Sequence, residues 1–173
     1  GLVDDAGRVP PSRADKHRQV LRYAEILGHL ARDAAWPRES TPRIADMGCG
    51  RGYLTFAVWH LFRRQLGLAA EVRGIEARPE LAAEAEQTAR RLGLEGLEFA
   101  AGTIADTPLD RLDVLIALHA CNTATDDALR RGIGLGCRLI VVAPCCHQEV
   151  RPQLGRPDPL GPLPDQNQGG HSL

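Results

Sequence analysis

Apolar positions along the chain follow two spacings, which alternate from residue 43 onwards. Short apolar runs predict strands, and between them apolar residues recur three or four apart, as on one face of a helix. The predicted strands are Arg43–Met47, Glu71–Glu76, Leu97–Ala101, Leu112–Leu118 and Cys137–Ala143. The predicted helices are about Asp15–Ala31, about Tyr53–Leu66, one from Pro79 and one from near Thr125. This alternation is typical of an α/β fold, in which right-handed crossovers build a doubly wound parallel sheet.

The first predicted helix precedes that alternation. Asp15 is predicted to cap its N-terminus, because a carboxylate can accept the free backbone N–H groups of a first turn. Val20, Ala24, Leu27 and Ala31 recur at helical spacing. The segment is therefore predicted to be a helix with one apolar stripe.

Proline and glycine mark both ends of the predicted domain. Residues 1–14, which include Pro10 and Pro11, are predicted to be a leader, and residues 15–150 a single domain. Residues 151–173 are rich in proline and glycine and show no strand pattern. For that segment we expect a flexible or truncated tail.

The composition supports one globular domain. The chain has 173 residues, of which 43% are hydrophobic and 25% charged, close to globular averages. Its net charge of −1 gives no general attraction to nucleic acid or to an anionic membrane. No apolar run approaches the roughly 20 residues that span a bilayer. The 5 cysteines include no C-x-x-C pair, which argues against a disulfide framework and for a reducing, cytoplasmic compartment.

The first predicted strand runs directly into a glycine-rich turn. Asp46 is followed by Gly48, Gly50 and Gly52, and Tyr53 opens the next helix. Glycine permits a tight turn and the close approach of a ligand, and the helix N-terminus offers free N–H groups. A nicotinamide fingerprint would need its third glycine at position 53, which is tyrosine here. The turn therefore indicates a nucleoside cofactor of another kind.

The pattern D-x-G-x-G-x-G resembles the first motif of class I methyltransferases. The resemblance implies S-adenosylmethionine as cofactor, with its methionine end near Asp46, and S-adenosylhomocysteine as product. Glu76 ends the second strand, where a carboxylate can accept both ribose hydroxyls. Gly102 and Thr103 follow the third strand and would flank the adenine. The predicted cofactor-binding residues are Asp46, Gly48, Gly50, Gly52, Tyr53, Glu76, Gly102, Thr103 and Leu118.

Two later segments narrow the resemblance. Residues 113–126 read DVLIALHACNTATD, and residues 143–147 read APCCH. Together they resemble a methyltransferase branch that includes uncharacterised bacterial proteins, methyltransferase-like proteins related to a glutathione S-transferase C-terminal-domain protein, and zinc-finger tRNA ribose 2′-O-methyltransferases. That branch implies an RNA acceptor, in tRNA or rRNA, and its pattern lets Lys16 and His17 cover the cofactor or touch the substrate. The chain has no zinc-finger module, and the family's last strands are not recognisable, so we expect a sheet that lacks them.

Candidate catalytic residues follow the fourth and fifth predicted strands. His119, Cys121 and Asn122 come after one strand, and Cys145 and His147 after the next. Ligands of open α/β sheets lie beyond the carboxyl ends of the strands, so neighbouring strand ends bring these side chains into one pocket. A neutral imidazole of His119 or His147 can take the proton of a ribose hydroxyl as general base. Cys145 is the candidate nucleophile if the acceptor is a pyrimidine carbon.

Several other chemistries are excluded, disfavoured or left open. Lys16 is the only lysine, which excludes the Lys-Asp-Lys-Glu mechanism of ribose methylation because that mechanism needs two. The Asn/Asp-Pro-Pro-aromatic motif of amino-adenine methylation is absent after the fourth strand. A zinc site made of the histidines and cysteines in both segments is disfavoured, because adjacent cysteines seldom bind one ion. Protein methylation, and cofactor binding without catalysis, are the alternative functions.

Overall fold

The strands form one parallel sheet. A computed structural model of the chain describes residue 2 and residues 8–104, 106–118 and 123–143. Its strands are β1 (Arg43–Met47), β2 (Glu71–Glu76), β3 (Leu97–Ala101), β4 (Val114–Leu118) and β5 (Leu139–Ala143). They pair in parallel in the order β3-β2-β1-β4-β5, which confirms the predicted doubly wound α/β fold. The prediction that the last strands are lacking falls on residues 144–173, outside the described part of the chain.

The first three strands have the predicted bounds, whereas β4 and β5 each begin two residues later than predicted. Asp113 lies just before β4, and its carboxylate accepts the N–H of Arg43 at 2.9 Å. Its carbonyl accepts the N–H of Arg138 at 2.9 Å. Apolar periodicity does not show these bonds, which hold the strand starts together before the regular ladder begins.

Helices cover the two faces of the sheet. They are α1 (Ala14–Asp33), α2 (Tyr53–His60), α3 (Pro79–Arg91) and α4 (Thr123–Gly134). The predicted helix after the glycine turn is thus shorter as an α-helix, since it continues as a π-helical turn over Leu61–Gln65. Within the described residues, no helix combines the length and the apolar composition that crossing a bilayer requires.

The predicted cap of the first helix is wrong. Pro10 and Pro11 lead into a 3-10 turn over Pro11–Arg13, and the N–H of Arg13 donates to the carbonyl of Pro10 at 2.9 Å. The chain is already helical at Ala14, so Asp15 lies inside the first turn of α1. Its carboxylate pairs there with Arg18 on the exposed surface. A proline-initiated turn replaced the side-chain cap.

Alternate residues of the strands pack in two cores, one on each face of the sheet. Ile44 and Ile116 belong to the larger core, which includes buried residues of α1, α2 and α3. Ala45 and Leu115 belong to the smaller core on the opposite face, where Ala128 of α4 is buried. A strand buried on both faces needs apolar residues at every position, which explains the unbroken apolar sequence of β4.

Candidate cofactor-binding site

A cleft opens at the carboxyl ends of β1, β2 and β4. Its cavity has a volume of about 370 Å³, within the range of small-molecule sites. One wall comes from α1, the floor from the glycine turn and the start of α2, and the rest from Leu118 and the segment leading into α3. The lining residues are Lys16, Gln19, Val20, Tyr23, Asp46, Gly48, Cys49, Gly50, Arg51, Tyr53, Leu54, Arg78, Leu81 and Leu118.

A second cavity, of about 420 Å³, lies at the amino ends of β1, β2 and β3. Four of its charged side chains are paired across the strands, Arg43 with Glu71 at 3.0 Å and Arg73 with Glu98 at 3.2 Å. Ligands of parallel α/β sheets bind beyond the carboxyl ends of the strands, not at their amino ends. The cleft beside the glycine turn is therefore the candidate site.

The glycine turn folds back tightly onto β2. The N–H groups of Gly48 and Cys49 both donate to the carbonyl of Ile75, at 2.7 and 3.0 Å. Gly48, Gly50 and Gly52 have φ angles of +74°, +58° and +73°. These angles lie in the left-handed region, where a side chain would be strained, so the turn requires glycine at all three positions.

The three glycines differ in what surrounds them. A Cβ built on Gly48 or Gly50 meets no atom within 4 Å, so at these positions the backbone borders open space in the cleft. A Cβ on Gly52 would lie 2.5 Å from Cε1 of Phe99. Gly48 and Gly50 thus leave the room that a cofactor needs, whereas Gly52 lets the turn pack against β3.

Alanine substitutions should separate these two roles. Gly52→Ala is expected to cost about 3 kcal/mol of stability, because left-handed strain adds to a clash with a buried ring. Gly48→Ala is expected to cost about 1 to 2 kcal/mol from the strained φ alone, and to weaken binding of the predicted cofactor by filling the cleft. Urea denaturation and calorimetric titration measure the two effects. Equal stability losses in both variants would contradict the assignment of Gly52 to packing.

Asp46 lies at the base of the cleft and is 3% exposed. Its Oδ2 accepts a hydrogen bond from the Oγ1 hydroxyl of Thr55 at 2.6 Å. Burial raises the pKa of Asp46 to about 6, and the bond from Thr55 opposes that rise only in part. A buried carboxylate with one donor can be stabilised by a positively charged ligand group.

Glu76 is also buried, at 5% exposure, but donors surround its carboxylate. Oε2 accepts the N–H of Gly50 at 2.7 Å, and Oε1 accepts the backbone N–H and the Nε–H of Arg78 at 3.2 and 2.7 Å. Burial acts to raise the pKa of Glu76, but the hydrogen bonds from Arg78 and Gly50 together hold it below its ordinary value. Glu76 is therefore ionised at neutral pH and fixes the position of the glycine turn.

The occupied carboxylate bears on the predicted ribose contact. A carboxylate has about four acceptor sites. Three of those of Glu76 are already filled, by the backbone N–H of Gly50 and by the backbone and side chain of Arg78. Two ribose hydroxyls need two sites, so the side chain of Arg78 has to yield its place on Oε1 for both to bind. Arg78 is able to move, because its side chain is 62% exposed.

Cys49 lies in the glycine turn and lines the cleft, but it is chemically inert. Burial, followed by the negative charges of Asp46 and Glu76, raises the pKa of its thiol to about 12. Only the thiolate is a nucleophile, so this cysteine takes no part in covalent chemistry at neutral pH.

Only some of the other predicted cofactor residues line the cleft. Tyr53 and Leu118 line the cleft, and their contact with the cofactor stays a prediction. Gly52 and Glu76 lie outside that lining, although Glu76 bonds to the lining residues Gly50 and Arg78. Gly102 and Thr103 also lie outside it. The N–H of Gly102 donates to the carbonyl of Glu76 at 3.0 Å, and the Thr103 hydroxyl donates to Asp106 at 2.7 Å, which closes a turn after β3. Their contact with adenine stays a prediction.

Sequence reasoning missed several lining residues. Arg78 follows Glu76 by two positions, but nothing in the sequence indicates that it folds back onto that carboxylate. Gln19, Val20 and Tyr23 follow Lys16 at helical spacing, so the position of Lys16 was a signal for all three. His17, which was singled out together with Lys16, lies outside the lining.

All predicted catalytic residues fall outside the described part of the chain. They are His119, Cys121, Asn122, Cys145 and His147, and the disfavoured zinc site falls on the same segments. The two strands that lead to these segments end side by side, since Leu118 of β4 pairs with Ala143 of β5. Their catalytic roles stay predictions.

A family model described as a methyltransferase domain matches residues 15–153. The chain belongs to this family. The predicted methyltransferase class, with S-adenosylmethionine as its cofactor, is confirmed at the level of the family. The family match leaves open the predicted branch and its RNA acceptor. No curated protein sequence matches the chain.

Solved structures of other proteins resemble the domain in part. An S-adenosylmethionine-dependent methyltransferase from Clostridium acetobutylicum is 17% identical with a TM-score of 0.48, and the match covers 69% of this chain and 46% of that one. Geranyl diphosphate methyltransferase in complex with S-adenosylmethionine is 24% identical with a TM-score of 0.47, covering 68% and 48%. The YcgJ protein of Bacillus subtilis is 22% identical with a TM-score of 0.43, covering 57% and 38%. The chain thus spans less than half the length of each of these relatives.

Proposed function

We propose that this domain transfers the methyl group of S-adenosylmethionine to an acceptor in RNA. The observation that carries the proposal is a cleft lined by the buried Asp46 and by the open backbone of Gly48 and Gly50, where the ionised Glu76 accepts the N–H of Gly50. Such a cleft suits a ligand with a charged amino acid end and a ribose. The RNA acceptor rests on the sequence resemblance of residues 113–126 and 143–147.

Different residues of the cleft would bind different parts of the cofactor. When bound, the cofactor would supply a methyl group on a positively charged sulfur, and the sulfur would leave as the acceptor takes the methyl group. Asp46 would hold the positively charged amino group, because among the described residues its buried carboxylate accepts a hydrogen bond only from the Thr55 hydroxyl. Glu76 would hold the ribose hydroxyls, and Gly48 and Gly50 would let the ligand lie against the backbone. Most of the catalysis then comes from positioning the acceptor.

The acceptor enters beyond β4 and β5 in this proposal. His119 or His147 would remove the proton of a ribose hydroxyl as general base. Cys145 would instead attack a pyrimidine ring if the acceptor is a ring carbon. The position of Leu118, which lines the cofactor cleft at the end of β4, supports this proposal.

Methyl incorporation tests this proposal directly. The protein is incubated with tritium-labelled S-adenosylmethionine and with extracted RNA or protein, and the labelled product is digested. Label released by ribonuclease but not by protease is the expected result. Label released by protease would instead make the domain a protein methyltransferase, and cofactor binding without any incorporation would make it a non-catalytic module. Glu71→Gln, a change at the opposite end of β2, is the control that should leave incorporation unchanged.

Comparing turnover with cofactor affinity tests the proposed catalytic residues. His119→Ala and Cys145→Ala are each expected to lower turnover by about 100-fold or more for a lost base or nucleophile, with cofactor affinity changed less than threefold. Single-turnover kinetics and calorimetric titration measure the two quantities. Full turnover in both variants would place the reaction centre elsewhere.

A further inference from the structure

Three cations line the cofactor cleft, and two of them are neutralised within the chain. Arg51 lies with its Nη1 3.8 Å from a carboxylate oxygen of Glu84. Arg78 lies with its Nε 2.7 Å from Oε1 of Glu76. The third cation, Lys16, has no carboxylate partner among the described residues, so its charge is available to a ligand.

Lys16 is held at the cleft by its own helix. Its Nζ donates to the neutral side-chain amide of Gln19 at 2.9 Å, one helical turn further along α1. Further along the same face of α1, Leu27 and Ala31 are buried in the larger core. Arg138 donates to the carbonyl of Ala34 at 2.8 Å and so fixes the far end of the helix. Lys16 is therefore an exposed charge on an anchored element.

The charges of the cofactor and of the cleft leave one group without a partner. S-adenosylmethionine has a positively charged amino group, a positively charged sulfur and a negatively charged carboxylate. Asp46 and Glu76 suit its amino group and its hydroxyls but repel its carboxylate. Of the cleft-lining cations in the described residues, Lys16 alone has no such acid beside it.

We propose that Lys16 binds the α-carboxylate of the cofactor and makes the cleft selective for the intact amino acid end. This inference rests on the proposed function, since it requires that the cleft holds S-adenosylmethionine. It gives α1 a role beyond packing, because the first turn of this helix supplies the counter-charge that the glycine turn and strand ends lack. Lys16 thus acts on the affinity and the selectivity of cofactor binding.

A ligand that lacks only the carboxylate tests the contact. Decarboxylated S-adenosylmethionine keeps the amino group, the sulfonium and the nucleoside. The wild type is expected to bind the intact cofactor about five- to tenfold more tightly than the decarboxylated one, as one charge-assisted contact at a partly exposed site provides. Lys16→Met should remove this preference, and Lys16→Arg should restore most of it. Arg22→Met removes an exposed cation of α1 outside the cleft and is the matched control.

Calorimetric titration distinguishes the outcomes. If the wild type binds neither ligand, the proposed cofactor cleft fails and the role of Lys16 falls with it. If the wild type binds both but Lys16→Met keeps the same preference, the cofactor cleft stands and the inference is overturned. An equal loss of affinity for both ligands also overturns it, because the residue then acts on the nucleoside end or on the fold.

The chain offers a second, independent readout because Lys16 is its only lysine. An amine-reactive reagent followed by mass spectrometry reports modification at Lys16, and the terminal amine serves as the internal standard. We expect the intact cofactor to lower the rate of Lys16 modification in proportion to the fraction of the protein that has bound it. The decarboxylated cofactor, at the same occupancy, should leave the rate of Lys16 modification unchanged. Equal protection by both ligands would contradict a contact with the carboxylate.

Discussion

Replacing Asp46 by asparagine is expected to make the ligand-free protein more stable at neutral pH while it weakens cofactor binding by about 10- to 100-fold. Burial raises the pKa of Asp46 from 3.8 to about 6. An acid whose pKa is raised by folding costs stability when it is ionised, here up to about 3 kcal/mol. Asparagine keeps an oxygen for the Thr55 hydroxyl and removes the buried charge, so we expect a gain of about 2 kcal/mol after the cost of burying its amide.

The stability difference between the wild type and Asp46→Asn should depend on pH. The favourable, protonated state of Asp46 is fully present below the unfolded pKa of 3.8 and is lost as the pH rises through about 6. The stability advantage of Asp46→Asn should therefore be largest near pH 7.5 and shrink towards pH 4, as urea denaturation at several pH values would show. Cofactor binding by the wild type should weaken as the pH falls below about 6, because the protonated acid no longer attracts an amino group.

Asp113→Asn is the matched control for this experiment. Asp113 lies at the opposite end of the strands and accepts the N–H of Arg43. Its substitution should leave cofactor affinity unchanged. A variant of Asp46 that is less stable than the wild type at pH 7.5 would contradict the assigned cost of the buried charge.

Replacing Glu76 by glutamine is expected to have the opposite effect on stability. The carboxylate accepts hydrogen bonds from Gly50 on one oxygen and from Arg78 on the other, and glutamine keeps only one of these oxygens, because its amide nitrogen cannot accept. We expect a loss of about 2 kcal/mol, together with a loss of cofactor affinity of about 10- to 100-fold as the ribose acceptor is weakened. Denaturation and titration of the variant measure the two effects.

The sign of the pH dependence is reversed at this residue. The pKa of Glu76 is lowered, so its contribution is present above the unfolded value of 4.5 and is lost as the pH falls through the folded value. The difference between wild type and Glu76→Gln should be constant from neutral pH down to about 5 and should disappear in acid. Glu71→Gln, on the exposed amino end of the same strand, should change neither property. Unchanged affinity in Glu76→Gln would refute the ribose contact.

Local sequence patterns were sufficient where the local and tertiary preferences agree. The bounds of β1, β2 and β3 follow from apolar runs that end in turns, and the glycines of the cofactor turn follow from the φ angles that such a turn needs. The start of α1 did not follow, because Pro11 initiates a helical turn that makes a cap at Asp15 unnecessary. The late start of β4 depends on Asp113, which bonds to a residue 70 positions away.

The sequence by itself determined the parallel α/β fold, the glycine turn and the two acids at the ends of β1 and β2, because each depends on residue type and short spacing. Only the tertiary structure decided how these residues act. Burial next to Thr55 gives Asp46 a raised pKa, whereas donors from two other segments give Glu76 a lowered one. The packing of Gly52 against Phe99 likewise depends on which distant segments meet, as does the lack of an ion pair at Lys16 among the described residues. A charge has its free energy set by its surroundings in space, and these surroundings come from segments far apart in the chain.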